Sequence, residues 1–180
     1  MDKPPIIKTK LILDTNIISY ASNYPVERQD KMLKIIDNYR AKYDPVITDY
    51  IQFELLKSAE NKDSELLKKL GLFGKLSTNE AIILMAGVLH GVYKKAKIER
   101  KINDGDLIIA TTAILSQSLL LTADKDDYPH PFFEEKECLT ISFKEFKNSH
   151  TTSVIPIYLF EPNQTKTLQE VDKFFKIPTS

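Results

Sequence analysis

Lys10-Leu11-Ile12-Leu13-Asp14-Thr15-Asn16 is the stretch on which the fold turns. Three consecutive large aliphatic residues leave no polar face, and an acid, a hydroxyl and an amide stop the run abruptly. A short apolar run of this kind reads as a strand buried on both faces, as strands of parallel sheets are. Thr15 or Asn16 is suited to cap a short helix beginning at Ile17. Asp14 then stands at the carboxyl end of a buried strand, the edge where open α/β sheets gather their ligands.

Working outward, the same pattern repeats. Pro25 opens a helix with Met32, Leu33, Ile36 and Tyr39 or Tyr43 on its apolar face, and Asp44-Pro45 ends it. Val46-Ile47-Thr48 is a second strand, followed by a helix that Thr48 or Asp49 caps and that carries Ile51, Phe53, Glu54, Leu55 and Leu56. Residues 63–76 read as a mixed helical segment broken by Gly71 and Gly74. Ser77-Thr78-Asn79-Glu80 has the form of a capping box at the head of a helix running to Lys97. Asn103-Asp104-Gly105 reads as a turn, residues 106–116 as a helix rich in Ile and Ala, and Leu119–Thr122 as another buried strand ending at Ala123-Asp124. Two later strands, 138–143 and 154–160, and a helix over 165–175 complete the chain. Strands alternating with helices of about a dozen residues imply a parallel sheet covered on both faces, a three-layer α/β/α sandwich.

The totals bound the function. A chain of 180 residues suits one compact domain able to bury its own core. Lys+Arg and Asp+Glu balance at 25 each, so any affinity for nucleic acid must come from a local patch. The single cysteine, Cys138, provides neither a disulfide framework nor a Cys/His zinc cluster, which suggests a reducing compartment. The opening MDKPPIIKTK lacks the apolar core of a secretory leader, and no stretch has the length of a membrane span. A cytoplasmic protein is expected.

Four acids share one placement. Asp14 and Asp124 follow strands, Asp106 begins the helix before the last buried strand, and Glu54 lies early on the helix after the second strand. Carboxylates from four distant segments can therefore meet at one sheet edge. Gathered carboxylates repel, and a bound cation removes that cost. Oxygen-only ligands select Mg²⁺ or Mn²⁺, and such an ion activates water and holds a phosphate in line for attack. Each acid also has a plainer use: Asp14 or Asp106 as a helix cap, Glu54 as a solvated helix residue, Asp124 as one of several acids in a polar loop. Their order and shared strand-end placement are what favour a site.

Other signals are weaker. Tyr93 to Lys101 is the most basic stretch, and Lys94, Lys95, Lys97, Arg100 and Lys101 are candidate phosphate contacts. Lysines at a helix C-terminus also simply suit the helix dipole. His90, His130 and His150 share no ligand spacing. No Gly-x-Ser-x-Gly, Walker or Rossmann glycine motif is present. A phosphatase of the haloacid-dehalogenase type needs a second Asp two positions after the first, where this chain has Asn16.

Taken together, the motifs resemble those of PIN-domain nucleases, a family that includes toxin ribonucleases of the VapC type. The matching stretches are Leu11-Ile12-Leu13-Asp14-Thr15-Asn16, Thr48-Asp49 through Glu54-Leu55, the 106–113 helix Asp-Leu-Ile-Ile-Ala-Thr-Thr-Ala, and Leu120-Leu121-Thr122-Ala123-Asp124 with Asp127-Tyr128 beyond it. The resemblance implies Asp14, Glu54 and Asp106 as metal ligands and Asp124 as a fourth acid. It implies that Asn16 and Thr122 orient water or carboxylates. The reaction implied is metal-assisted hydrolysis of RNA, leaving a 5′-phosphate and a 3′-hydroxyl. Family analogy adds a homodimer and, for a toxin, an antitoxin that blocks the cleft. Residues 1–145 are expected to form the PIN-like nuclease domain. Residues 146–180 would add a C-terminal strand and helix extension packed on the same domain. The rival expectation is a PIN-like RNA- or protein-binding module without catalysis.

Overall fold

The computed structural model describes residues 7–23, 25–58, 70–98, 102–145 and 151–176. In chain order these form β1 (Lys10–Leu13), α1 (Thr15–Ser22), α2 (Val26–Arg40), β2 (Asp44–Thr48), α3 (Asp49–Ser58), β3 (Gly74–Leu76), α4 (Glu80–Lys95), α5 (Asp104–Ser116), β4 (Leu119–Thr122), β5 (Phe133–Lys144), β6 (Thr152–Pro162) and α6 (Gln164–Phe175).

Among the described residues the strands make one six-stranded sheet in the order β3-β2-β1-β4-β6-β5. The pairings β3–β2, β2–β1 and β1–β4 are parallel, and β6 runs antiparallel to both β4 and β5. Leu11, Ile12, Leu13, Ile47, Leu120 and Leu121 have no exposed surface, as central parallel strands with both faces covered require. Helices α1 and α2 lie together on one face, where Tyr39 of α2 donates to Glu137 of β5 at 2.9 Å. Helices α4, α5 and α6 pack together on the other. The result is the expected three-layer α/β/α sandwich with a mainly parallel central sheet.

Successive right-handed crossovers carry the chain from β1 outward to β2 and β3, then back past β1 to β4. The strand order therefore reverses between β1 and β4, the point at which open α/β sheets form their ligand crevice outside the strands' carboxyl ends. Asp14 follows β1 and Ala123-Asp124 follow β4 at that point.

Several local expectations are corrected. The first helix starts at Thr15 because Asp14 itself is the N-cap, its carboxylate accepting from the Thr15 amide at 2.7 Å. The capping side chain of α4 is Asn79, which accepts from Ile82 at 3.1 Å, so the helix is shorter at both ends than the Ser77 box implied. Asn103 caps α5, so Asp104 and Gly105 form its first turn instead of a separate bend. Gly74–Leu76, expected within a helical segment, pairs with β2 as the edge strand β3; residues 63–69 of that segment lie outside the described residues. Strand β5 begins at Phe133, five residues before the expected start, and Cys138 on it is exposed. β6, from the stretch read as an extension, hydrogen-bonds to β4 on one side and β5 on the other.

Candidate active site

Asp14 is the hub of the crevice. Its side chain is buried, 3% exposed, because Ile17, Leu13 and Leu121 close around the β1–α1 junction. One carboxylate oxygen caps α1. The other accepts from Thr122 Oγ1 at 2.6 Å, from Asn16 Nδ2 at 3.0 Å and from the Tyr128 hydroxyl at 3.2 Å. Burial raises the Asp14 pKa above the ordinary carboxyl value; the Thr122, Thr15 and Tyr128 hydrogen bonds oppose that, and the nearby Glu54 charge adds to it. This is a carboxylate placed where charge is costly and then held by donors from α1, from the end of β4 and from the loop after it.

Asn16 and Thr122 lock each other as well as Asp14. The Thr122 hydroxyl, having given its proton to Asp14, accepts from Asn16 Nδ2 and from the Asp124 amide, each at 3.1 Å. Asn16 Oδ1 accepts from the Ala123 amide at 3.0 Å. An amide is required at residue 16: it donates to Asp14 on one side and accepts from β4 on the other, where a second carboxylate could only repel.

The other acids face this hub. Thr15 links Asp14 to Glu54, its amide donating to the first and its hydroxyl to the second. Tyr50, one turn earlier on α3, lies close enough to Glu54 and Asp106 that their charges add to burial in raising its pKa. Asp106 opens α5 and is held by Asn103, whose side chain accepts from the Asp106 amide at 3.0 Å and donates to its carboxylate. Burial first, then the charges of Asp127, Asp14, Glu54 and Asp124, push the Asp106 pKa up to about 8. Five carboxyl groups thus share one electrostatic environment. Asp124 also accepts from the Asp126 amide at 3.1 Å, shaping the loop after β4.

Among the described residues, no three Asp, Glu, His or Cys side chains converge tightly enough to hold an ion in this conformation. The donor chemistry nonetheless suits a hard divalent cation, since carboxylate oxygens line the crevice and the raised Asp106 pKa marks a charge that a cation would stabilise.

Asp14, Glu54, Asp106 and Asp124 are therefore brought to one crevice, with Asn16 and Thr122 among them. The basic stretch is less directly involved. Lys94, Lys95 and Lys97 are exposed near the C-terminus of α4, and Lys95 turns toward α6, donating to the Lys173 carbonyl at 3.2 Å. Arg100 and Lys101 lie outside the described residues. Five residues at the site have no role assigned by the sequence alone: Thr15, Tyr50, Asn103, Asp127 and Tyr128. Thr15 stood inside the opening motif, and Asp127 heads the charges acting on Asp106. Asp127 and Tyr128 stood in the last matching stretch without a role attached, whereas Tyr50 carries no local signal, because only the fold brings it to the acids.

An open α/β sheet with an all-carboxylate crevice at its switch point defines the class of protein. The chain belongs to the PIN domain family, whose family model matches residues 11–130, more than half of the chain. The PIN domain is a nuclease fold whose members act on nucleic acid and usually employ divalent metals. No curated protein matches the chain. Among the described residues no helix is long and apolar enough to cross a membrane.

Proposed function

We propose that the protein is a metal-dependent endoribonuclease that hydrolyses RNA phosphodiester bonds in the Asp14 crevice. The observation that carries the reading is the meeting of Asp14, Glu54, Asp106 and Asp124 from separate segments, with the Asp106 carboxyl pushed up to about 8 by burial and by its acidic neighbours. Asp14, Glu54 and Asp106 would hold Mg²⁺ or Mn²⁺, with Asp124 as a fourth acid. Bound there, the ion supplies an activated water and neutralises charge on the phosphate.

The chain's own residues orient and exclude. Thr122, Asn16 and Tyr128 fix the Asp14 carboxylate, Thr15 fixes Glu54, and Asn103 fixes Asp106. With Leu13, Ile17 and Leu121 fully buried beneath it, the Asp14 side of the crevice is kept from bulk water. Lys94 and Lys97 at the open end of α4 would meet the phosphates of a bound strand. The products would carry a 5′-phosphate and a 3′-hydroxyl. The likeness to VapC-type toxins extends the proposal to a cytoplasmic homodimer whose antitoxin covers the crevice.

A pool of structured and single-stranded RNA tests the reading, incubated with Mg²⁺ or Mn²⁺, with EDTA, and with Asp14→Asn. Metal-dependent cutting that the variant lacks is expected. Full activity from Asp14→Asn and Asp106→Asn would sink the site assignment. A non-cutting RNA- or protein-binding module is the second reading, favoured by the lack of a tight three-residue ion cluster among the described residues. Under it, the wild type cuts no RNA and takes up no Mn²⁺ in a titration.

A further inference from the structure

Helix α3 presents more than an acid to the crevice. Tyr50, Phe53, Glu54 and Lys57 are spaced i, i+3, i+4 and i+7, which puts them on one stripe of the helix. The opposite side is the buried one, with Ile51 and Leu55 in the core. Phe53 is 57% exposed, so more than half of its surface is open to a ligand. Its ring centroid lies 6.1 Å from that of Tyr50, at 50° between planes.

Tyr50 is flanked on two sides. It sits beside Glu54 and Asp106, whose charges add to burial in raising its pKa. Its ring lies so close to the first turn of α5 that a Cβ on Gly105 would stand 2.5 Å from Cε1 and 2.7 Å from the hydroxyl oxygen. Glycine at residue 105 therefore lets the Tyr50 ring lie flush against α5; a side chain there would push the ring out of this position. A half-buried ring beside an open ring, on the helix that carries Glu54, makes a short apolar ledge. Lys57, exposed one turn beyond Phe53, puts a cation at the far end of that ledge.

We infer that Tyr50 and Phe53 form a stacking platform for a base of single-stranded RNA next to the bond being cut, with Lys57 on the adjoining phosphate. The inference rests on the endoribonuclease reading and names how that site takes its substrate. Rings suit this ligand because every unpaired base presents a π-face, whereas a base inside a duplex has both faces covered. The ledge thus selects unpaired RNA without reading its sequence.

Full-length wild type, Phe53→Ala, Phe53→Leu and Phe53→Trp test this, using a single-stranded oligoribonucleotide carrying 2-aminopurine at successive positions. Binding is followed in Ca²⁺ buffer by anisotropy and by 2-aminopurine quenching, and cleavage kinetics in Mn²⁺. Wild type and Phe53→Trp are expected to quench the probe at one position. Phe53→Ala and Phe53→Leu should lose that quench and bind about five- to 150-fold more weakly, the equivalent of ~1–3 kcal/mol per stacked base. The loss should appear in KM, with kcat held. Wild-type affinity and quenching in the Ala and Leu variants would overturn the platform while leaving the nuclease reading intact. No RNA binding by the wild type would also overturn it, and would point to a protein partner for the rings. A wild type that binds and quenches but never cuts would sink the nuclease reading and leave the platform standing.

Discussion

Asp106→Asn is expected to stabilise the metal-free protein at pH 8 while removing its response to Mn²⁺. Burial, then Asp127, Asp14, Glu54 and Asp124, raise the Asp106 pKa from 3.8 to about 8. A carboxyl whose folded pKa lies above its unfolded value keeps a proton that the unfolded chain releases. Its contribution is complete below about pH 4 and is lost as pH rises toward about 8. A proton fully retained is worth about 1.4 kcal/mol per pH unit. Over the whole window that would approach ~6 kcal/mol, but Asp106 is only partly buried, and solvent screening reduces the figure to about 2 kcal/mol. Asparagine carries no charge, keeps an acceptor for the Asn103 amide, and forgoes only ~0.3–1 kcal/mol of favourable charge at the start of α5. For a chain of this length 2 kcal/mol corresponds to roughly 4–8 °C in Tm. Thermal melts in EDTA from pH 5 to pH 8 should therefore show the wild type falling more steeply than the variant. At pH 8 the variant should melt the higher of the two. Mn²⁺ at a hundredfold excess over its Kd should add ~2.7 kcal/mol to the wild type alone. Parallel melting curves across pH, with equal gains from Mn²⁺, would refute both the desolvation of Asp106 and its role as a ligand.

Tyr93→Phe should stabilise the protein by about 1 kcal/mol, because the Tyr93 hydroxyl is buried with no partner among the described residues while its ring packs 4.8 Å from that of Phe132. A lower Tm for this variant would mean that the hydroxyl is satisfied after all. Gly105→Ala should melt within a few degrees of wild type yet bind and cut RNA more weakly, since the new methyl group displaces Tyr50 from Glu54. An unchanged cleavage rate would mean that Tyr50 can swing aside without disturbing the acid.

The architecture was largely legible because buried parallel strands announce themselves. Leu11–Leu13 and Leu119–Leu121 are apolar without alternation, and each stops at a polar residue that the fold then uses. The same logic places the four acids at one edge, since each lies at or beside a strand's carboxyl end or early on a helix. The sequence was silent where pairing decides structure. Gly74–Leu76 has only 3 residues and no fully buried position, so nothing in its pattern separates it from a loop until β2 lies beside it. Cap identity was left open at Asp14 and missed at Asn79 and Asn103 for a related reason: several polar residues in a row can each cap, and backbone geometry chooses among them. β6 was found as a strand, but its seat between β4 and β5 depends on a long antiparallel pairing that no local motif encodes.

Asp14 joins two requirements that pull against each other. As the N-cap of α1 it stabilises the fold, and a neutral Asn or Ser would do that nearly as well. As a buried carboxylate among Glu54, Asp106 and Asp124 it destabilises the metal-free fold, and burial is the largest influence on its raised pKa. The chain answers with donors from three places: Asn16 beside it, Thr122 at the end of β4, and Tyr128 in the following loop. Thr122 and Asn16 are also bonded to each other and to the β4 loop, so neither donor can turn away without giving up a second hydrogen bond. A helix cap alone has no need of such a network. It follows if the carboxylate must keep one orientation while its charge is neutralised by something that comes and goes. That is the physical case for reading the crevice as a metal-dependent active site.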